Sequence, residues 1–411
     1  MKFVEAEDLK MGMRLARPIY NKKGVLLFER DSRLTSLTIE SVKNFGLLGV
    51  YILEPAEPLP PMSEEDLEFE RFQIATGFSI QDELEGMLET KHKNRLDTIA
   101  ATILRKYGHL DEKISFFQNL RSRDDFVCRH ALNTAIFCAM ITHAMNVKVD
   151  EQLRTVHAAI VHDIGKMQIP KDVLFSRSGD ENLIDRIYQD QLSGLDVLEE
   201  AFMEGGVIKR ICAQALLAQQ EFDTTGKLQS NARMSLAAKI LMVANRYDEI
   251  TAVDLQGHSE SEVKALHELH DHPEVYDETV VDALIRCVNI LFPGVSVELN
   301  TGEKALVVAE NAEDILRPML LTFGDNSLLD LSARDNRDIY IVDIMKTLDN
   351  RYIMTDIPLG QNVGQKENEI RDKNEIREIN EIREKNEIRE ISEIREKNEI
   401  REKNEIRKKN T

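Results

Sequence analysis

The run His162-Asp163-Ile164-Gly165-Lys166 sets an imidazole and a carboxylate side by side after an apolar, helix-like segment, which is a compact way to hold a hydrolytic metal ion. His130 lies one predicted helix upstream. Asp163 offers an anionic oxygen where the imidazoles offer nitrogen, and Lys166 can face a phosphate beside the ion. The chemistry this set implies is metal-assisted hydrolysis of a phosphate ester.

Other candidate groups carry less. His267, His270 and His272 cluster within Leu266–Pro273, a spacing zinc can use, but no fourth ligand accompanies them and a solvated loop is expected. His157 is expected as a packed neighbour of His162. Ile136, Met140 and Met145 recur at helical spacing as core. Met203-Glu204-Gly205-Gly206 lacks the further glycine of a phosphate cradle. Cys128, Cys138, Cys212 and Cys287 stand singly in apolar stretches and read as reduced core thiols.

The elements that must position these residues divide the chain by composition. Residues 1–56 alternate short apolar runs with glycine-containing turns around a helix-like stretch, Ser36–Asn44, which predicts a small mixed α/β domain. Prolines at 55, 58, 60 and 61 exclude regular structure and mark a linker at 57–62. Over 63–292 apolar residues recur three and four apart, the pattern of a helical bundle. Val295–Leu299, Ala305–Val308 and Ile339–Val342 then read as strands of a small β-rich subdomain at 293–357.

Residues 358–411 form a low-complexity tail. From residue 366 it carries 14 basic and 14 acidic side chains, so the whole net charge of −20 belongs to the body before it. Ile370, Ile376, Ile382, Ile388, Ile394, Ile400 and Ile406 recur every six residues; on a helix this period spreads them over three faces instead of one stripe. A solvated charged segment that adds nothing to the core is expected.

The acidic body argues against a nucleic-acid polymer as partner, because phosphate backbones repel it. No apolar run approaches the ~18 residues of a membrane span. With an acidic N-terminus unlike a secretory signal, a cytoplasmic protein without membrane insertion is expected.

At this level the chain resembles the HD-GYP family, the branch of the HD superfamily of metal-dependent phosphohydrolases that hydrolyses cyclic di-GMP. The likeness rests on Asp124–His130 against the family's Asp-x-Tyr-Thr-x-x-His, on His162–Lys166 with Ile169-Pro170, on Ala244–Thr251 against Ala-Asp-x-Tyr-Asp-Ala-Leu-Thr, and on Tyr276–Leu284. The small domain before the linker is similar to one that often precedes HD-GYP domains. The resemblance implies a mainly α fold, with an HD-type helical domain flanked by the small N-terminal and C-terminal units.

The departures from the family pattern fall on chemistry. Asp190-Gln191-Leu192-Ser193-Gly194 stands where the family has His-Pro-x-x-Gly, Gln219-Gln220 where it has two histidines, and Gly226-Lys227-Leu228 where it has Gly-Tyr-Pro. Asn245 replaces a metal-binding Asp, and Asp254 replaces an Arg that meets the dinucleotide phosphate. The residual metal set is His130, His162 and Asp163 with Asp190 as substitute; Gln219, Gln220 and Asn245 occupy lost ligand positions.

The resemblance therefore implies a catalytically impaired signalling protein of bacterial type, with no metal cofactor expected, acting through protein partners. The alternative is a residual phosphodiesterase using iron or manganese, in which Asp163 and Lys166 take the catalytic roles on cyclic di-GMP or another nucleotide. A third reading is cyclic-dinucleotide sensing without turnover, which Asp254 and Lys227 oppose for cyclic di-GMP.

Overall fold

Helix α4 (Phe126–Ala144) is buried on every side, with no exposed residue from Val127 to Thr142, so it must run through the middle of the molecule. The computed structural model describes residues 2–20, 25–53, 64–116, 118, 121–176, 181–228, 233–252 and 259–345. The expected linker at 57–62, the tail at 358–411 and Asp254 lie outside the described residues.

Around α4 pack α2 (Glu64–Thr90), α3 (Leu96–Tyr107), α5 (Val149–Val161), α10 (Leu236–Thr251) and α12 (Glu278–Ile285). Short helices α6 (Lys171–Leu174), α7 (Glu181–Gly194) and α8 (Val197–Ala201) lead to α9 (Gly205–Thr225), which packs on α5 and α10; α11 (Glu262–Asp271) follows α10. Local chemistry fixes several ends. Ser235 and Ser261 accept the N–H groups of Ala238 and Lys264 at the starts of α10 and α11, the usual serine N-cap. Gly226 ends α9 at φ 66°, a left-handed turn that favours glycine.

Ahead of this body, β1 (Lys2–Glu5), β5 (Gly49–Leu53) and β2 (Arg14–Leu15) form an antiparallel sheet in the order β1-β5-β2, and β3 (Ile19–Tyr20) pairs with β4 (Leu26–Phe28). Helix α1 (Ser36–Asn44) sets Val42 on Leu15, Ile19, Leu34, Val50 and Ile52, a core separate from that of the helical body.

The terminal strands behave differently. Strands β6 (Ser296–Leu299), β7 (Lys304–Ala309), β8 (Met319–Thr322), β9 (Leu328–Asp330) and β10 (Ile341–Ile344) make one antiparallel sheet in the order β10-β6-β7-β8-β9. Val297, Leu299, Val307, Leu320 and Ile341 belong to the same core as the helices, and α11 packs on β10. The last strand starts two residues later than Ile339, because Tyr340 and Asn300 exchange hydrogen bonds ahead of the ladder.

His267 and His270 lie on helix α11 and not in a loop, which corrects the sequence expectation. His267 Nε2 donates to Ile341 O at 2.8 Å, and the His272 ring meets the edge of Phe222 at 4.8 Å. All four cysteines are buried and unpaired, and burial pushes the Cys128 and Cys287 thiols up to about 12. Among the described residues no helix is long and apolar enough to cross a membrane.

Candidate metal centre

Four elements converge on the centre. Helix α4 supplies His130, the end of α5 supplies His162, and the turn Ile164–Gln168 begins with Asp163 as its cap. Asn245 and Asp248 come from α10, where residues three apart share a face. His130, His162 and Asp163 are all buried and place one donor atom each within 4.8 Å of one another, the single such group among the described residues.

The outward hydrogen bonds fix how the imidazoles face. His130 Nδ1 lies 2.6 Å from Asp248 Oδ2 and His162 Nδ1 lies 2.7 Å from Ala159 O. Both partners are acceptors, so each Nδ1 carries the proton, which leaves Nε2 of a neutral ring with its lone pair inward. The two Nε2 atoms are 3.2 Å apart, and Asn245 Oδ1 is 2.8 Å from each. Asp163 Oδ2 stands 3.7 Å from His130 Nε2 and 3.6 Å from His162 Nε2.

Four lone-pair donors thus converge, which is repulsive unless a cation or an added proton sits among them. Burial opposes a proton on His130, but its bond to Asp248 outweighs this and raises its pKa; burial lowers that of His162. The donor set fits one divalent ion, with Asp248 and Ala159 O as the outer partners that orient the imidazoles.

Asp163 is pulled two ways. Burial would raise its pKa, yet His162, Lys166 and His130 hold it well below the usual carboxylate range. Lys166 Nζ donates to Oδ2 at 2.7 Å, and Gln191 Nε2 donates to Oδ1 at 2.5 Å. Burial disfavours the Lys166 charge, and Asp163 restores it, so its pKa is raised.

Gln191, not Asp190, reaches the centre. Neighbours on a helix point about 100° apart, and on α7 Gln191 faces inward while Asp190 is exposed beside Arg186 at 3.8 Å. The expectation of Asp190 as a ligand is thereby corrected. Gln219 lines the adjoining cavity of about 210 Å³ together with His162, Asp163, Lys166, Gln191 and Asn245. It donates to Asp223 at 2.8 Å and accepts from Tyr276 OH at 3.4 Å. Gln220, one residue on, turns to Asp185 at 3.4 Å and does not line the cavity. Gly226-Lys227-Leu228 closes helix α9 and does not line it either.

The glycines of the motif serve contact. A Cβ on Gly194 would lie 2.3 Å from Gly165 Cα, and one on Gly165 would lie 2.5 Å from Gln191 O. This approach of backbones is what brings the Gln191 side chain onto Asp163. Gly194→Ala is expected to lower stability by about 2 kcal/mol, in the range of overpacked sites. A urea midpoint equal to that of the parent chain would show that α7 is not seated on Gly165.

The comparisons with known proteins bear on this centre directly. The family model described as HD domain matches residues 110–280, which contain every donor named above. PA4108, a cyclic di-GMP phosphodiesterase of Pseudomonas aeruginosa, is 25% identical over 365 residues, 79% of this chain and 85% of that protein. Residues 110–280 match the HD domain family, and the chain is similar to this phosphodiesterase.

Among solved structures, Bd1817, an HDG"Y"P protein from Bdellovibrio bacteriovorus, is similar at 14% identity and a TM-score of 0.41, covering 69% of this chain and 97% of that one. Sequence reasoning assigned no role to Asp248, Asn133, Gln118 or Arg121. Asp248 carried a signal, because it follows Asn245 by three on one helix face; Arg121 and Gln118 carried none.

Proposed function

We propose that this chain is a catalytically impaired HD-GYP protein that holds at most one divalent cation and acts by binding, through protein partners, in a signalling role. The observation that carries this reading is the state of Asp163: one carboxylate oxygen accepts from Lys166 and the other from Gln191. A two-metal hydrolase needs anionic or imidazole donors on both ions. On the cavity side the chain offers the amide of Gln219, tied to Asp223 and Tyr276. A single further carboxylate lines it among the described residues, Glu249, which lies 3.6 Å from Arg246, while Asn245 lacks the charge of a carboxylate. His130, His162, Asp163 and Asn245 would hold the single ion, which would supply Lewis acidity.

One observation favours a second reading, residual phosphohydrolysis. Lys166 lines the cavity beside Asp163, so a phosphate there would meet an ammonium group. In that case Lys166 would bind the phosphate and Asp163 would orient Lys166.

Metal analysis of the purified chain with a cyclic di-GMP turnover assay in added Mn²⁺ or Fe²⁺ tests both. The expected result is no more than one ion per chain and no turnover above a metal-free control. Two ions per chain with turnover would sink the proposal; one ion with slow turnover lost in Lys166→Ala would favour the second reading.

A further inference from the structure

The small N-terminal domain is joined to the centre by backbone. Leu48 N–H donates to Arg121 O at 3.1 Å, Arg123 N–H donates to Gly46 O at 3.1 Å, and Leu47 and Ser122 form an antiparallel bridge. The edge leading into β5 is thus continued by residues 121–123, immediately ahead of α4.

The side chain of Arg121 runs the opposite way, into the body. It is among the largest fully buried side chains, with its guanidinium 5.1 Å over the Phe126 ring. Its Nη2 donates to Asp248 Oδ2 at 2.5 Å, the same oxygen that His130 Nδ1 meets at 2.6 Å. The other oxygen accepts from Asn133 Nδ2 at 2.8 Å and Gln118 Nε2 at 3.3 Å. Arg121 Nε has no partner, so the pair depends on one guanidinium nitrogen. Between the edge of the N-terminal domain and the inward nitrogen of His130 there stand one residue and one carboxylate. All of these side-chain links are buried, where an unmade bond costs most.

We infer that Arg121 is a positioning residue through which the N-terminal domain sets the orientation of His130, and with it the cation affinity of the centre. The inference rests on the one-cation reading above. Coupling between two sites is reciprocal, so a bound ion must also tighten the contact at Leu48 and Arg123. A role confined to neutralising Asp248 would lower stability on mutation but leave that response intact.

The test uses the full chain, with Mn²⁺ as probe. Mn²⁺ binding and amide hydrogen exchange are measured in the parent, Arg121→Met and Arg121→Lys. In the parent, Mn²⁺ should slow exchange at Leu48 and Arg123 at least threefold. Arg121→Met should bind Mn²⁺ at least tenfold more weakly and lose that response at saturation, with partial recovery in Arg121→Lys. Unchanged affinity in Arg121→Met, or a persisting response, overturns the inference. If the parent takes up no Mn²⁺, the one-cation reading fails by itself, and coupling is then read without metal. His130→Ala should speed exchange at Leu48 and Arg123 at least threefold while His162→Ala does not; equal exchange in both overturns it. Those two variants and Arg121→Lys also carry the test should Arg121→Met fail to fold.

Discussion

Asn245→Asp is expected to tighten Mn²⁺ binding about a hundredfold. Asn245 Oδ1 already sits 2.8 Å from both inward imidazole nitrogens, so the substitution changes charge with little change of shape. A unit charge pair at 4 Å is worth ~4 kcal/mol at an effective dielectric near 20. Desolvation takes back part of that, and the ~2.7 kcal/mol assumed to remain is two factors of ten. Without metal the new carboxylate faces Asp163, a like charge, so the variant should be less stable than the parent until Mn²⁺ is added.

Gln219→His should add a smaller increment, because Gln219 lines the cavity. Gln220→His should add almost nothing, because it faces Asp185. Calorimetric titration of the three variants decides the order. An Asn245→Asp chain that binds Mn²⁺ no tighter than the parent would mean that Asn245 does not stand at a ligand position.

Much of this arrangement was legible in the sequence, for physical reasons that differ by residue. The periodicity of 63–292 announces helices, and the His162–Lys166 run announces the end of α5, because an apolar helix that stops on His-Asp exposes both groups to whatever packs there. The glycine-bounded run Gly49–Leu53 is a strand for the same local reason. Asp190 was misjudged because motif spacing fixes position along α7 but not the rotation that turns Gln191 inward. The seating of Gly194 on Gly165 sets that rotation, and it is a contact between segments far apart in the chain. Strands β8 and β9 were not read from the sequence. Arg121 was silent for a stronger reason: a buried arginine is recognised by its carboxylate, and Asp248 lies 127 residues away.

That carboxylate carries the largest stability effect expected here. Asp248→Ala would leave the Arg121 guanidinium buried without an anion and strip an acceptor from His130 and Asn133. Breaking a buried pair by removing one partner costs about 3–5 kcal/mol, and urea unfolding of the parent and variant should differ by that amount near neutral pH. The difference should also depend on pH, with a sign that follows from the shifts. Burial would raise the Asp248 pKa, but Arg121 and His130 hold it well below its ordinary 3.8. A depressed carboxylate contributes stability that is complete above the ordinary value and lost as pH falls through the folded one. His130 is displaced the other way: burial opposes its charge and Asp248 outweighs burial, so its pKa lies above the ordinary 6.5. Its contribution is complete below 6.5 and lost as pH rises through the folded value. The gap between parent and variant should therefore be widest from about pH 4 to 6.5, narrowing on the acid side as Asp248 protonates and on the alkaline side as His130 loses its proton. A gap that stays constant from acid to alkaline pH would show that Asp248 stabilises the centre by shape alone, with no charge carried between Arg121 and His130.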